Sequence, residues 1–220
     1  MALHCLSATV IPCYDTRMPL VRLDVPVDAA PLPENVAAFL AEADRRIERS
    51  SCQGVHAFVP SDYAMVYAVL EALETHAVAP GHALCEWGSG MGVVASLAAM
   101  LGFEACGIEI NRDLVAEAEG LAEDFGLSVE FVCGNLIPTG AERFADTAGG
   151  EMAWLSMGGA DAYEQIGLDI DDFDVIFAYP WPGEREVMNG LFAHYAAVGA
   201  VLVTYHGLEG VLVQRKVAEA

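Results

Sequence analysis

The chain has 220 residues, 55% of them hydrophobic, which is enough for one α/β domain with an extension and a sizeable core. Its 10 basic and 32 acidic residues give a formal net charge of -22, a surface that repels phosphate backbones and makes nucleic acid a poor partner. No apolar run reaches the length of roughly 18 residues that spans a bilayer, and the start, MALHCLSATVIPCYD, has no basic n-region, so neither a membrane span nor a signal peptide is expected.

The six cysteines, Cys5, Cys13, Cys52, Cys85, Cys106 and Cys133, form no C-x-x-C pair. Three fall in predicted strands, where a free thiol acts as a small hydrophobe. This usage points to a reducing, cytoplasmic setting without a disulfide frame or a metal site. Residues 1–33 hold five prolines and short alternating stretches such as PLVRLDVPV, which predict one or two edge strands and loop. Over 34–50 the apolar residues Val36, Phe39, Leu40, Ala43 and Ile47 recur at helical spacing. A second helix is predicted after Ser61, its expected N-cap, with Val66, Leu70 and Leu73 as its stripe and Pro80-Gly81 beyond its end.

From residue 83 the pattern becomes β-α-β-α. The predicted strands are 83–87, 104–110, 129–133, 174–178 and 200–205, with helices at 93–101, 112–125 and 184–198. Residues 136–173 are long for a crossover. Within them EMAWLSM is read as a helix or part of a lid, and Asp161, Glu164, Asp169, Asp171 and Asp172 as a solvated acidic face. VLVQRKV, after a tight turn at 207–210, is read as a last strand.

The turn after the first core strand carries Gly88, Gly90 and Gly92 in alternation, with Ser89 between. Glycine is needed where φ is positive or where a ligand presses on the backbone. A strand-to-helix turn at the carboxyl end of a strand is where open α/β sheets bind ligands, and the helix N-terminus adds free N–H groups. The spacing is not the dinucleotide G-x-G-x-x-G. Glu86, two residues before the first glycine, is a poor neighbour for a pyrophosphate and suits a ligand with a cationic amine. Glu109, ending the next strand, is placed to accept both hydroxyls of a ribose.

This stretch resembles motif I, E/D-x-G-x-G-x-G, of the class I S-adenosylmethionine (SAM) methyltransferases, a likeness running from about residue 81 to the end. It implies a doubly wound, mostly parallel Rossmann-like sheet, here with an N-terminal helical extension (residues 1–56) packed on a SAM-binding domain (57–220). A full seven-stranded sheet would need another helix and strand at the C-terminal end. That edge is expected to be trimmed or completed by the N-terminal segment. Carried over by position, Glu86, Gly88, Ser89, Gly90 and Gly92 cradle the donor, Glu109 and Ile110 its ribose and base, and Asn135 and Leu136 the adenine. Many members have Gly-Asp where this chain has Gly134-Asn135. The Asn135 carbonyl oxygen could take the adenine amino group, or the residue is an ordinary turn former.

Phe58-Val59-Pro60-Ser61-Asp62 followed by a helix and motif I looks like the layout of small seven-stranded protein-lysine methyltransferases, which implies that Pro60, Ser61 and Asp62 belong to a lid over SAM. Tyr179-Pro180-Trp181-Pro182, past the fourth strand, lies where amino-methylating members carry D/N/S-P-P-Y/F/W. Tyr179 replaces the polar residue, and Trp and Pro are exchanged. Tyr179 and Trp181 are therefore read as aromatic walls around a cationic amine or methyl group, or as a turn packed on the sheet. Tyr179 and His206 are candidate weak bases at strand ends; for His206 the alternative is a local hydrogen bond.

The expected function is methyl transfer from SAM to an amine or other nucleophile, with a protein lysine among the candidate acceptors. The rival readings are a small-molecule methyltransferase on the same scaffold and a SAM-binding module without catalysis.

Overall fold

The computed structural model describes residues 20–28, 30–52, 59–146, 159–181 and 183–218. The EMAWLSM stretch, Phe58, Pro182 and the boundary expected at residues 56 and 57 lie outside them. One seven-stranded sheet organises these residues. Its strands are β1 (Leu20–Arg22), β2 (Ala83–Trp87), β3 (Glu104–Glu109), β4 (Val129–Cys133), β5 (Val175–Ala178), β6 (Val201–Tyr205) and β7 (Val211–Lys216), in spatial order β1-β7-β6-β5-β2-β3-β4. β2 through β6 pair in parallel, and β7 runs antiparallel to both β6 and β1.

The N-terminal segment thus completes the edge that the C-terminal end leaves short. β6 turns directly into β7 through the 3-10 turn Gly207–Glu209, so no chain remains there for a crossover. β1 is three residues long with Val21 exposed, a short edge of the kind that resists further pairing.

Helices cover both faces. α1 (Glu34–Cys52), α2 (Tyr63–Thr75), α3 (Val93–Met100) and α4 (Arg112–Asp124) surround one core layer. α5 (Arg143–Asp146), α6 (Ala162–Ile166) and α7 (Arg185–Tyr195) accompany the other. The strands alternate between the layers: Leu84, Val175, Phe177, Val201 and Val203 face the first, Cys85, Trp87, Ile176, Ala178 and Leu202 the second. The chain reverses strand order between β2, whose crossover goes one way to β3, and β5 on its other side. The crevice at this switch point lies at the carboxyl ends of β2 and β5.

Several boundaries differ from the sequence pattern. α2 is capped by Asp62, not Ser61: its carboxylate accepts the Met65 N–H at 3.0 Å and the helix begins at Tyr63. α7 stops at Tyr195, short of the expected 198, because the Ala196 backbone is extended. The buried Lys216 ammonium bonds the His194 and Ala196 carbonyls there, placing a cation on the helix C-terminus.

α1 is joined to the core by Phe39, fully buried and edge-on to Phe125 with ring centroids 5.1 Å apart. Arg46 adds ion pairs to Glu42 and to Asp124 in α4's last turn. Phe39→Ala should cost about 3–5 kcal/mol of stability, the usual range for emptying a buried aromatic site. Urea unfolding checks this; a loss below about 1 kcal/mol would show that α1 does not share the core.

Candidate functional site

The turn between β2 and α3 is built from its backbone outward. Gly88, Gly90 and Gly92 all have positive φ, at 70°, 53° and 66°. They differ in surroundings. A Cβ on Gly92 would lie 2.3 Å from the Phe131 ring, so this glycine is required by packing as well as by φ. A Cβ on Gly88 would meet no atom within 4 Å, so the turn is open there. The Gly88 and Ser89 N–H groups both donate to the Ile108 carbonyl at 2.9 Å, which ties the turn to the end of β3.

Two carboxylates hold this turn from either side. Glu86, 5% exposed, accepts the Ala95 N–H at 2.8 Å and also the Val94 N–H. It therefore fills part of the N-terminus of α3 that the sequence pattern leaves free for a ligand. Burial raises its pKa to about 8; the Glu109 charge adds to the rise, and the two N–H bonds oppose it. Glu109, half-buried at the end of β3, accepts the Gly90 N–H through one oxygen and the Asn111 N–H through the other, each at 2.8 Å. Each oxygen keeps a second lone pair for a hydroxyl donor.

Ile110 follows, 42% exposed, with its Cδ1 against Gly159. Asn135, past the end of β4, turns its Oδ1 onto its own loop and accepts the Ile137 N–H at 2.9 Å. Its backbone bridges the 160–162 segment: its N–H donates to the Ala160 carbonyl, and its carbonyl accepts the Ala162 N–H. Leu136 is half-buried, and its carbonyl accepts the Tyr163 hydroxyl. At the start of α2, Pro60 and Asp62 are exposed and Ser61 is half-buried, with Asp62 engaged as the cap. Burial first, then the Glu86 charge, pushes the Tyr63 pKa up.

The remaining candidates separate. Tyr179 meets Tyr205 edge-on, centroids 4.8 Å apart, on the α2 and α3 side of the sheet. His206 lies on the other side, with Thr204, whose hydroxyl is 2.8 Å from its Nε2. Burial first, then Arg185, lowers the His206 pKa. The local hydrogen bond foreseen as the alternative for His206 is thus present, and the two candidate bases do not share a face. Trp181 closes a turn with the buried Glu184: its N–H donates to the Glu184 carboxylate at 3.0 Å, and its carbonyl accepts the Glu184 N–H. Asp161, expected on a solvated acidic face, is instead half-buried, caps α6 and accepts the Thr139 N–H. Among the described residues Asp169, Asp171 and Asp172 cluster at the surface, all exposed.

None of the family models matches this chain, and neither does any curated protein. Solved structures do resemble it. An RNA methyltransferase from Salinibacter ruber in complex with S-adenosyl-L-homocysteine aligns at a TM-score of 0.50 and 23% identity, over 74% of this chain and 96% of that one. A methyltransferase from Geobacter sulfurreducens aligns at 0.49 and 15%, over 86% and 93%. An O-methyltransferase from Bacillus cereus aligns at 0.47 and 14%, over 80% and 67%. The first likeness shows the fold, a mostly parallel Rossmann-like sheet, as expected.

The residues fit a nucleoside that carries an amino-acid tail. The backbone is open above Gly88, and Glu109 holds spare lone pairs beside it.

The Glu86 shift has a consequence for stability. Between about pH 4.5 and 8 the unfolded chain has lost this proton while the folded chain keeps it, so stability falls as pH rises through that window. Glu86→Gln does not titrate and keeps an oxygen for Ala95. Its apo melting temperature should exceed that of the unmodified protein by several degrees at pH 8 and by much less at pH 5. An equal difference at both values would contradict the buried, protonated state.

Proposed function

We propose that this protein is a SAM-dependent methyltransferase acting on an amine or another nucleophile. The observation that carries the reading is the pair of carboxylates, Glu86 and Glu109, bracketing an open glycine turn at the carboxyl ends of adjacent parallel strands. A turn edged by the Glu109 carboxylate, with spare lone pairs on both oxygens, favours a ligand with hydroxyls over a pyrophosphate.

SAM supplies a methyl group already activated by its sulfonium. The chain's residues then have to orient and enclose. Glu109 holds the ribose hydroxyls, Glu86 keeps the turn and the first turn of α3 in place, and Ile110 and Leu136 flank the base. Pro60, Ser61 and Asp62, at the start of α2, cover the amino-acid end. Tyr179 and Tyr205 wall the acceptor side at the ends of β5 and β6. Orientation of this kind supplies much of the rate when the leaving group is already good.

One solved neighbour is an RNA methyltransferase. The formal charge of -22 on this chain favours an uncharged or cationic acceptor over a polyanion. A protein lysine satisfies that charge preference, as does a small amine.

S-adenosylhomocysteine should raise the melting temperature while NAD does not; equal stabilisation by both would contradict the reading. Labelling a lysate with radioactive methyl-SAM then separates the acceptors. Label in protein supports a protein target, label in the small-molecule fraction a metabolite, and binding without label a module that has lost catalysis.

Glu109→Ala should weaken S-adenosylhomocysteine about 10–100-fold, the loss expected for charge-assisted bonds to two hydroxyls. It should also lower the apo melting temperature, because the Gly90 and Asn111 N–H groups lose their acceptor. Calorimetry on the folded variant checks the first effect. An affinity within about twofold would reduce Glu109 to a loop-holding role.

A further inference from the structure

The adenine end of the site differs from its sequence pattern in one respect: the side chain expected to read the base is turned away. The Asn135 Oδ1 accepts the Ile137 N–H at 2.9 Å and so serves its own loop. A carboxylate stands beside it instead. Asp161 pairs with Asn135 as a parallel bridge, and both line a small cleft of about 70 Å³ together with Ile137, Thr139, Glu142 and Gly159. Gly159 in turn touches Ile110, the exposed apolar residue that follows Glu109. The cleft thus adjoins Ile110, the residue that follows the ribose acid.

Asp161 is fixed in this position. Its Oδ1 accepts the Tyr163 N–H at 2.9 Å, and its Oδ2 accepts the Thr139 N–H at 2.7 Å. Two bonds from separate segments set the carboxylate plane. Each oxygen retains a lone pair, and among the described residues no lysine or arginine lines the cleft. A rigid acceptor beside an apolar side chain is the arrangement that selects a planar heterocycle by an amino group on its edge. A donor-bearing edge is attracted, and an edge bearing a carbonyl oxygen is repelled.

Resting on the SAM reading above, we propose that Asp161 is the base-specificity residue: its carboxylate accepts the exocyclic amino group of the adenine, in place of Asn135. The charge missing at position 135 is restored from the 159–161 segment, far away in sequence and adjacent in space.

The test compares S-adenosylhomocysteine with S-inosylhomocysteine, which carries a carbonyl oxygen where adenine carries its amino group. Both are titrated by calorimetry into the full chain. The unmodified protein should bind the adenine form about tenfold tighter or more. Asp161→Ala should remove most of that preference, by weakening the adenine form while leaving the inosine form nearly unchanged. Asp161→Asn keeps the shape of the side chain and adds a donor, and should narrow or reverse the preference. Asn135→Ala should leave the ratio intact whatever it does to overall affinity. Melting curves of the apo variants show whether each is folded; the ratio of affinities in the Asn variant decides if the Ala variant is not. A preference unchanged within about twofold in the Asp161 variants, or lost in Asn135→Ala alone, would overturn the proposal. Equal binding of both ligands by the unmodified protein would overturn it and leave the SAM reading standing. Binding of neither would overturn both.

Discussion

The hydrogen bonds that Glu86 and Glu109 accept from backbone N–H groups are the constraint on which the site depends. Three residues with positive φ between a strand and a helix have no regular ladder to hold them. Gly90 is held by Glu109, and the first turn of α3 by Glu86. The two strands that carry these acids pair in register, with Glu86 opposite Gly107 two residues before Glu109. That register depends in turn on Gly107, where a Cβ would collide with Phe131 and with Ser89. Shape at the turn is thus fixed by the sheet beneath it. The cost is a carboxyl group buried under the turn and protonated near neutral pH.

The sheet was legible because its central strands are short apolar runs separated by helices with clear stops. Val175–Ala178 is buried throughout, as a central parallel strand must be, and Gly126 and Gly167 mark turns with positive φ. Glu109 could be placed because consecutive parallel strands joined by a right-handed crossover lie side by side. Of the two outcomes expected for the far edge, trimming or completion by the N-terminal segment, the second is present as β1.

What the sequence concealed has a common cause: it depends on which of two similar local partners the tertiary structure selects. Ser61 and Asp62 are both good caps, and the one-residue choice is made where Tyr63 becomes buried beside Glu86. Asn135 and Asp161 are both short polar residues near turns. Each takes a local bond two residues on, but only Asp161 also crosses to Thr139. Nothing in the spacing of residues 136–173 signals that crossing. Tyr179 and His206 look equivalent as strand-end residues. Alternation along β5 and β6 sends them to opposite faces, with Tyr205 against the first and Thr204 against the second.

Past the strand ends, Tyr179 and Tyr205 present aromatic surface, while the glycine turn is edged by carboxylates and open backbone. The division suits chemistry in which the donor carries its own activation and the protein supplies position. Its geometry is tested most directly by a crystal structure of the protein grown with S-adenosylhomocysteine. The account predicts ligand density across the open face of the turn at Gly88, with both ribose oxygens within hydrogen-bond distance of the Glu109 carboxylate. Density elsewhere on the molecule, or a ligand in that crevice whose ribose does not reach Glu109, would contradict it.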